Sequence, residues 1–109
     1  MPTHRENFLR KHGLPLTESL SIPEISNLSG VPVKSLQEIF RRGVGAHGSN
    51  LASVRLKKDF SKNPDTKRYP ESARLSPQQW GYARIFSFLD RGTTFHTADA
   101  DIARKLGLQ

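Results

Sequence analysis

Apolar residues recur along much of the chain at intervals of three and four, broken by glycine and proline, a rhythm that predicts short helices joined by tight turns. Thr3 followed by Glu6 opens the first, read over residues 4–12, with Phe8 and Leu9 available for packing and Gly13-Leu14-Pro15 ending it. Ser21 and Glu24 form a second capping pair, Pro23 falls in the first turn, and Ile22, Ile25 and Leu28 mark one face. Gly30 can take the left-handed backbone that stops a helix, and Val31-Pro32 makes the corner. A further helix runs from about residue 33, with Val33, Leu36, Ile39 and Phe40 facing inward and Gly43 ending it after Arg41 and Arg42.

Residues 43–50, with glycines at 43, 45 and 48, are expected to be a loop. Leu51 to Leu56 carries too little pattern to choose between helix and strand. Residues 57–70 are polar, contain two prolines and read as extended or mobile. Ser76-Pro77-Gln78-Gln79 is the clearest helix start in the chain, and Tyr82, Ile85, Phe86 and Leu89 follow at helical spacing to about residue 91. That helix is expected to centre the core on Trp80, Phe86 and Leu89. Thr93 to His96 reads as an extended link, Thr97 as the cap of a last helix over 97–106, and Asp99 and Asp101 as first-turn acids that suit the helix dipole. Ala98, Ile102 and Leu106 would share its inner face. The expected fold is mainly α: an N-terminal arm over residues 1–19, then a single helical domain over 20–109. Within that domain lie a helix-turn-helix at 20–43, a basic loop at 51–74, a core helix at 76–91 and a C-terminal helix at 97–106.

Charge adds direction. Among 109 residues, seventeen Lys and Arg face ten Asp and Glu, giving a net charge of +7. Such a balance favours polyanionic partners: nucleic acid, an anionic membrane or an acidic protein face. Apolar residues make up 35% and charged residues 25%, lean for a globular domain but sufficient for a core. Cysteine is absent, which removes disulfides, thiolate nucleophiles and cysteine-based zinc sites. No run approaches the roughly 20 apolar residues of a membrane span, and the first residues are polar rather than signal-like. An intracellular setting is expected: host nucleus or cytoplasm, or a virion interior.

Residues 20–43 carry the main functional signal. Two short helices meeting at a glycine turn have the organisation of a helix-turn-helix, whose second helix lies in the major groove. Lys34, Ser35, Gln37, Glu38 and Arg41 would then point outward, and Lys, Arg and Gln can reach phosphates or base edges. Glu38 is repelled by phosphate unless it accepts from cytosine or pairs with a nearby arginine. The stretch Ser21-Ile22-Pro23-Glu24-Ile25-Ser26-Asn27-Leu28-Ser29-Gly30-Val31-Pro32-Val33-Lys34-Ser35-Leu36 resembles the N-terminal helix-turn-helix of the MerR-type regulators. Pro32 stands where that family carries a capping Ser or Thr, and no wing or long dimerisation helix follows, so an effector response is not implied. A wider succession over residues 22–106 resembles a small uncharacterised domain of large DNA viruses and some phages. It includes Arg42-Gly43-Val44-Gly45-Ala46, Ser53-Val54-Arg55-Leu56-Lys57, Gln79-Trp80-Gly81-Tyr82-Ala83-Arg84 and Thr97-Ala98-Asp99-Ala100-Asp101. That resemblance implies a virus-encoded, packaged protein and brings no activity.

The segment Arg55 to Arg74 holds seven cations with Phe60 and Tyr69 interleaved. It suits a sugar-phosphate backbone, a neighbouring subunit or plain solvent. The glycines at 43, 45 and 48 match no nucleotide-binding fingerprint. Histidines at 4, 12, 47 and 96 lack metal-ligand spacing, so neither a metal nor another cofactor is expected. Asp99 and Asp101, two apart on a helix, should diverge rather than act as a catalytic pair. With no nucleophile, base and oxyanion set in view, an enzyme is not expected. The leading expectation is non-catalytic binding of double-stranded DNA. Lys34, Ser35, Gln37 and Arg41 would lie in or along a groove, and Arg42, Arg55, Lys57 and Lys58 on phosphates. The alternative is a virion structural or assembly protein, a minor capsid or cement component meeting acidic coat-protein faces. A homo-oligomer is open in either case.

Overall fold

Three helix starts are fixed by side chains that reach one turn ahead. Thr3 accepts from the Glu6 amide at 3.2 Å and opens α1, His4–Lys11. At Ser21 and Ser76 the cap is reciprocal. Each hydroxyl accepts from the amide three residues on, while Glu24 and Gln79 accept from the amides of Ser21 at 3.2 Å and Ser76 at 2.9 Å. These boxes, each with a proline in the first turn, open α2, Ile22–Ser29, and α4, Pro77–Leu89. The structure, a computed structural model, describes residues 3–49, 54–57 and 63–108, and it is mainly α. The remaining elements are α3, Val33–Ser49, a 3₁₀ turn at Glu71–Ala73, α5, Thr93–His96, and α6, Ala100–Lys105. Among the described residues no helix is long and apolar enough to cross a membrane.

The central helix is α4, which packs against α3, α1 and α5. Ile85, Phe86 and Phe88 supply its buried side and meet Ile25 of α2, Leu36 and Ile39 of α3, Phe8 of α1, and Phe95 and Ile102 near the C-terminus. Phe8 and Phe86 pack as tilted rings 5.5 Å apart between centroids, so α1 belongs to the same core as the helices that follow. Asp90 holds it at one end, accepting from His4 Nδ1 at 2.7 Å and Asn7 Nδ2 at 2.9 Å. Trp80 and Leu89, expected at the centre, are only half-buried. Their places are taken by Ile85 and Phe88, on the side of α4 that meets α3 and α5. Leu28 is likewise 37% exposed, because α2 ends there and Ile25 alone among its residues is buried.

The glycine run at 43–50 is not a loop up to the last described residue. It is the second half of α3, which continues through Gly43, Gly45 and Gly48 to Ser49. Packing explains this. A Cβ on Gly43 would come within 2.9 Å of the Gly81 Cα, and one on Gly81 would strike the Phe40 ring at 2.7 Å. Two glycines thus let α3 and α4 approach closely, and that contact overrides the low helix propensity of the run. His47 lies on the same buried face and donates from Nε2 to the Leu75 carbonyl at 2.9 Å.

Two further expectations change. Residues 93–96 form the short helix α5, and the last helix starts at Ala100, so Thr97 and the exposed Ala98 lie in the turn before it. Ala100, Ile102 and Ala103 are the residues α6 buries. The basic segment, where described, is an irregular loop whose two ends are tied together. Leu56 and Arg74 form an antiparallel bridge, the Lys57 amide donates to Ala73 and the Leu75 amide to Arg55, both at 3.0 Å. Arg74 is fully buried: Nε donates to the Tyr69 carbonyl at 2.8 Å, Nη1 to Val54 at 2.7 Å and Nη2 to Asn63 at 2.6 Å. One guanidinium, with donors arranged as a fork, thereby ties the backbone at Val54 to that of residues 63–69.

Candidate nucleic-acid interface

The two sides of α3 differ sharply. Leu36, Ile39, Gly43 and His47 recur at intervals of three and four and are buried against the core. Lys34, Gln37 and Arg41, also at helical spacing, lie on the other side and are exposed, with 74% of the Arg41 side chain open to solvent. Ser35 is half-buried beside the turn that enters the helix. That turn is short, running from Gly30, at φ 75°, to Pro32, so α2 and α3 are directly consecutive.

Glu38 sits on the exposed side among these residues and is held from two directions. Arg41 Nη2 donates to its Oε2, and Arg42 Nε to its Oε1 at 3.3 Å. Arg42 in turn grips Asp101 with two parallel bonds, Nη1 to Oδ1 at 2.9 Å and Nη2 to Oδ2 at 2.8 Å. It also donates to the Ala98 carbonyl at 3.1 Å and to Asp99 Oδ1 at 3.3 Å. Asp99 is fully buried and receives Arg84 Nε and Nη2, both at 3.1 Å. The hydrogen bond from Arg42 holds the Asp101 carboxyl well below the usual carboxylate range, and Asp101 in turn raises Arg42 above the ordinary arginine value. Asp99 and Asp101 therefore converge on one guanidinium instead of diverging as first-turn acids. Asp99 is the cap residue, outside the helical spiral, and makes no cap bond of its own. Arg42, expected on phosphate, is committed to tying α3 to the start of α6.

Of the loop cations expected at phosphates, Arg55 and Lys57 are exposed and Lys58 lies outside the described residues. Arg55 borders the second half of α3: its carbonyl accepts from the Leu75 amide, and Leu75 accepts from His47. Lys67 and Arg68 are exposed at a turn that Asp65 caps, accepting from their amides at 3.1 and 3.0 Å. Arg74 is withdrawn into the interior. Sequence reasoning passed over Arg84 and Arg74 as structural hubs. Arg84 did carry a signal, since a charge inside the apolar run Tyr82-Ala83-Arg84-Ile85-Phe86 requires a buried partner. Arg74 carried none.

Among the described residues, no three His, Asp or Glu side chains are grouped to hold a metal ion. In comparisons with protein-family models, curated proteins and solved structures, nothing matches the chain.

Proposed function

We propose that the protein is a non-catalytic DNA-binding protein that lays the exposed side of α3 in the major groove of duplex DNA. The observation that carries this is the row Lys34, Gln37 and Arg41, open to solvent on a helix whose opposite side is fixed in the core. A helix of about 10–12 Å diameter fits a major groove about 12 Å wide. Lysine and arginine supply phosphate and guanine contacts, and glutamine can pair with adenine. The resemblance of residues 21–36 to a MerR-type helix-turn-helix and the net charge of +7 point the same way. Arg55 and Lys57, both exposed, are the loop cations proposed to add backbone phosphate contacts. Arg42 is not counted among the contacts, because its guanidinium serves Asp101, Asp99 and Glu38.

Four cations at the interface, Lys34, Arg41, Arg55 and Lys57, give an expected slope of about −3.6 for log affinity against log salt. Replacing Lys34 and Arg41 together by alanine should weaken duplex binding by about tenfold or more and flatten that slope by about two. Neither side chain packs in the core, so the helical circular dichroism and melting temperature should stay as they were. Undiminished affinity in the folded double variant rejects the assignment of α3 to the groove.

A further inference from the structure

We infer that Glu38 is the residue through which the α3 surface distinguishes base pairs, accepting a hydrogen bond from the exocyclic amine of cytosine in the major groove. The inference rests on the DNA-binding reading above and goes beyond it in naming the base and the residue that selects it.

Glu38 is the one carboxylate on the exposed side of α3, between Lys34 and Arg41. Facing phosphates, a carboxylate weakens binding, so contact with the backbone alone does not favour one on this surface. Its position is nonetheless secured from the core. Oε1 is held by Arg42, Arg42 by Asp101 and by the fully buried Asp99, and Asp99 by Arg84. A surface glutamate ordinarily samples many rotamers; this one is oriented by a chain of charged hydrogen bonds that ends in the interior. Its other oxygen, Oε2, faces the highly exposed Arg41. An exposed pair of this kind contributes little to stability, so it exchanges easily for other partners.

The base pair that fits both partners of the exchange is C·G. A carboxylate accepts and cannot donate, and cytosine presents the N4 amine as its major-groove donor. The paired guanine offers O6 and N7, two acceptors matched to the arginine fork that Glu38 releases. An A·T pair also carries an amine, on adenine, but sets the N7 acceptor beside it, where it repels the carboxylate, and gives Arg41 no matched pair of acceptors.

The test compares three duplexes of equal length with alternating dG·dC, dI·dC and dA·dT sequence, titrated with the full chain in fluorescence anisotropy at low salt. The inosine duplex keeps the cytosine amine and the major-groove acceptors while its minor groove resembles that of dA·dT. The wild type should bind dG·dC and dI·dC at least about fivefold more tightly than dA·dT. Glu38→Gln should bind dA·dT more tightly than the wild type does and lose the preference. A circular dichroism melt of the variant should match the wild type, since only surface contacts change. Equal affinity of the wild type for dG·dC and dA·dT, a Glu38→Gln variant that keeps the preference, or an inosine duplex that behaves like dA·dT each overturns the inference while leaving DNA binding intact. A wild type that binds none of the three overturns the DNA-binding reading itself, and this inference with it.

Discussion

Gly43 and Gly45 lie two residues apart in α3, and their missing Cβ atoms have opposite consequences. At Gly43 a Cβ meets the Gly81 backbone at 2.9 Å, whereas at Gly45 nothing lies within 4 Å. Gly45→Ala should therefore stabilise the protein by about 0.5–1 kcal/mol, the ordinary helix preference for alanine. Gly43→Ala should destabilise it by about 1–3 kcal/mol, because two packed helices must separate. Urea denaturation of the two variants checks the pair; equal shifts for both would contradict the close crossing of α3 and α4. The sequence marks these glycines alike, and this is why the helix could not be followed past Gly43. What separates them is Gly81, thirty-eight positions on, and no local pattern carries that information. Asp99 is a similar case. Its place near a helix start was legible, but its burial against Arg84 depends on how α4 and α6 meet.

Helix beginnings were read correctly where cap and partner lie three residues apart, at Ser21 and Ser76, since both halves of the box are local. The α2–α3 turn was legible for the same reason, from Gly30 and Pro32. Connections held by distant groups were not. Arg74 organises the loop through the carbonyls of Val54, Asn63 and Tyr69, and a carbonyl leaves no trace in residue type. Arg74→Lys keeps the charge but not the fork, and a buried carbonyl such as that of Val54 left unsatisfied costs about 1–3 kcal/mol. Such a variant should become susceptible to limited trypsin digestion at Arg55, Lys57, Lys67 or Arg68 under conditions where the wild type resists; equal resistance would contradict the anchoring role. The junction of α3 with α6 predicts a pH response. The Asp101 carboxyl is held below its ordinary value in the folded protein by Arg42. Its stabilising contribution is therefore complete above an unfolded value of about 3.9 and is lost as pH falls below it. Melting temperature should drop on acidification from about pH 5 toward pH 2, and Asp101→Asn should show a smaller drop than the wild type. An unchanged acid response in that variant would contradict the proposed clamp.

Considered whole, the molecule uses several cations to hold itself together: Arg42 and Arg84 pair with acids, and Arg74 with backbone. A net charge of +7 therefore overstates how many positive groups are open to a polyanionic partner. The exposed row on α3 is what gives the charge a direction, and the proposed function depends on that row meeting the duplex. The direct check is an amide chemical-shift titration of isotope-labelled protein with duplex DNA. Perturbations should begin at Lys34, Gln37, Glu38 and Arg41, extend to Arg55 and Lys57, and leave the buried side of α3 and the C-terminal α6 residues largely unchanged. Perturbations gathered on α1 or α6, with those of α3 unmoved, would contradict the account.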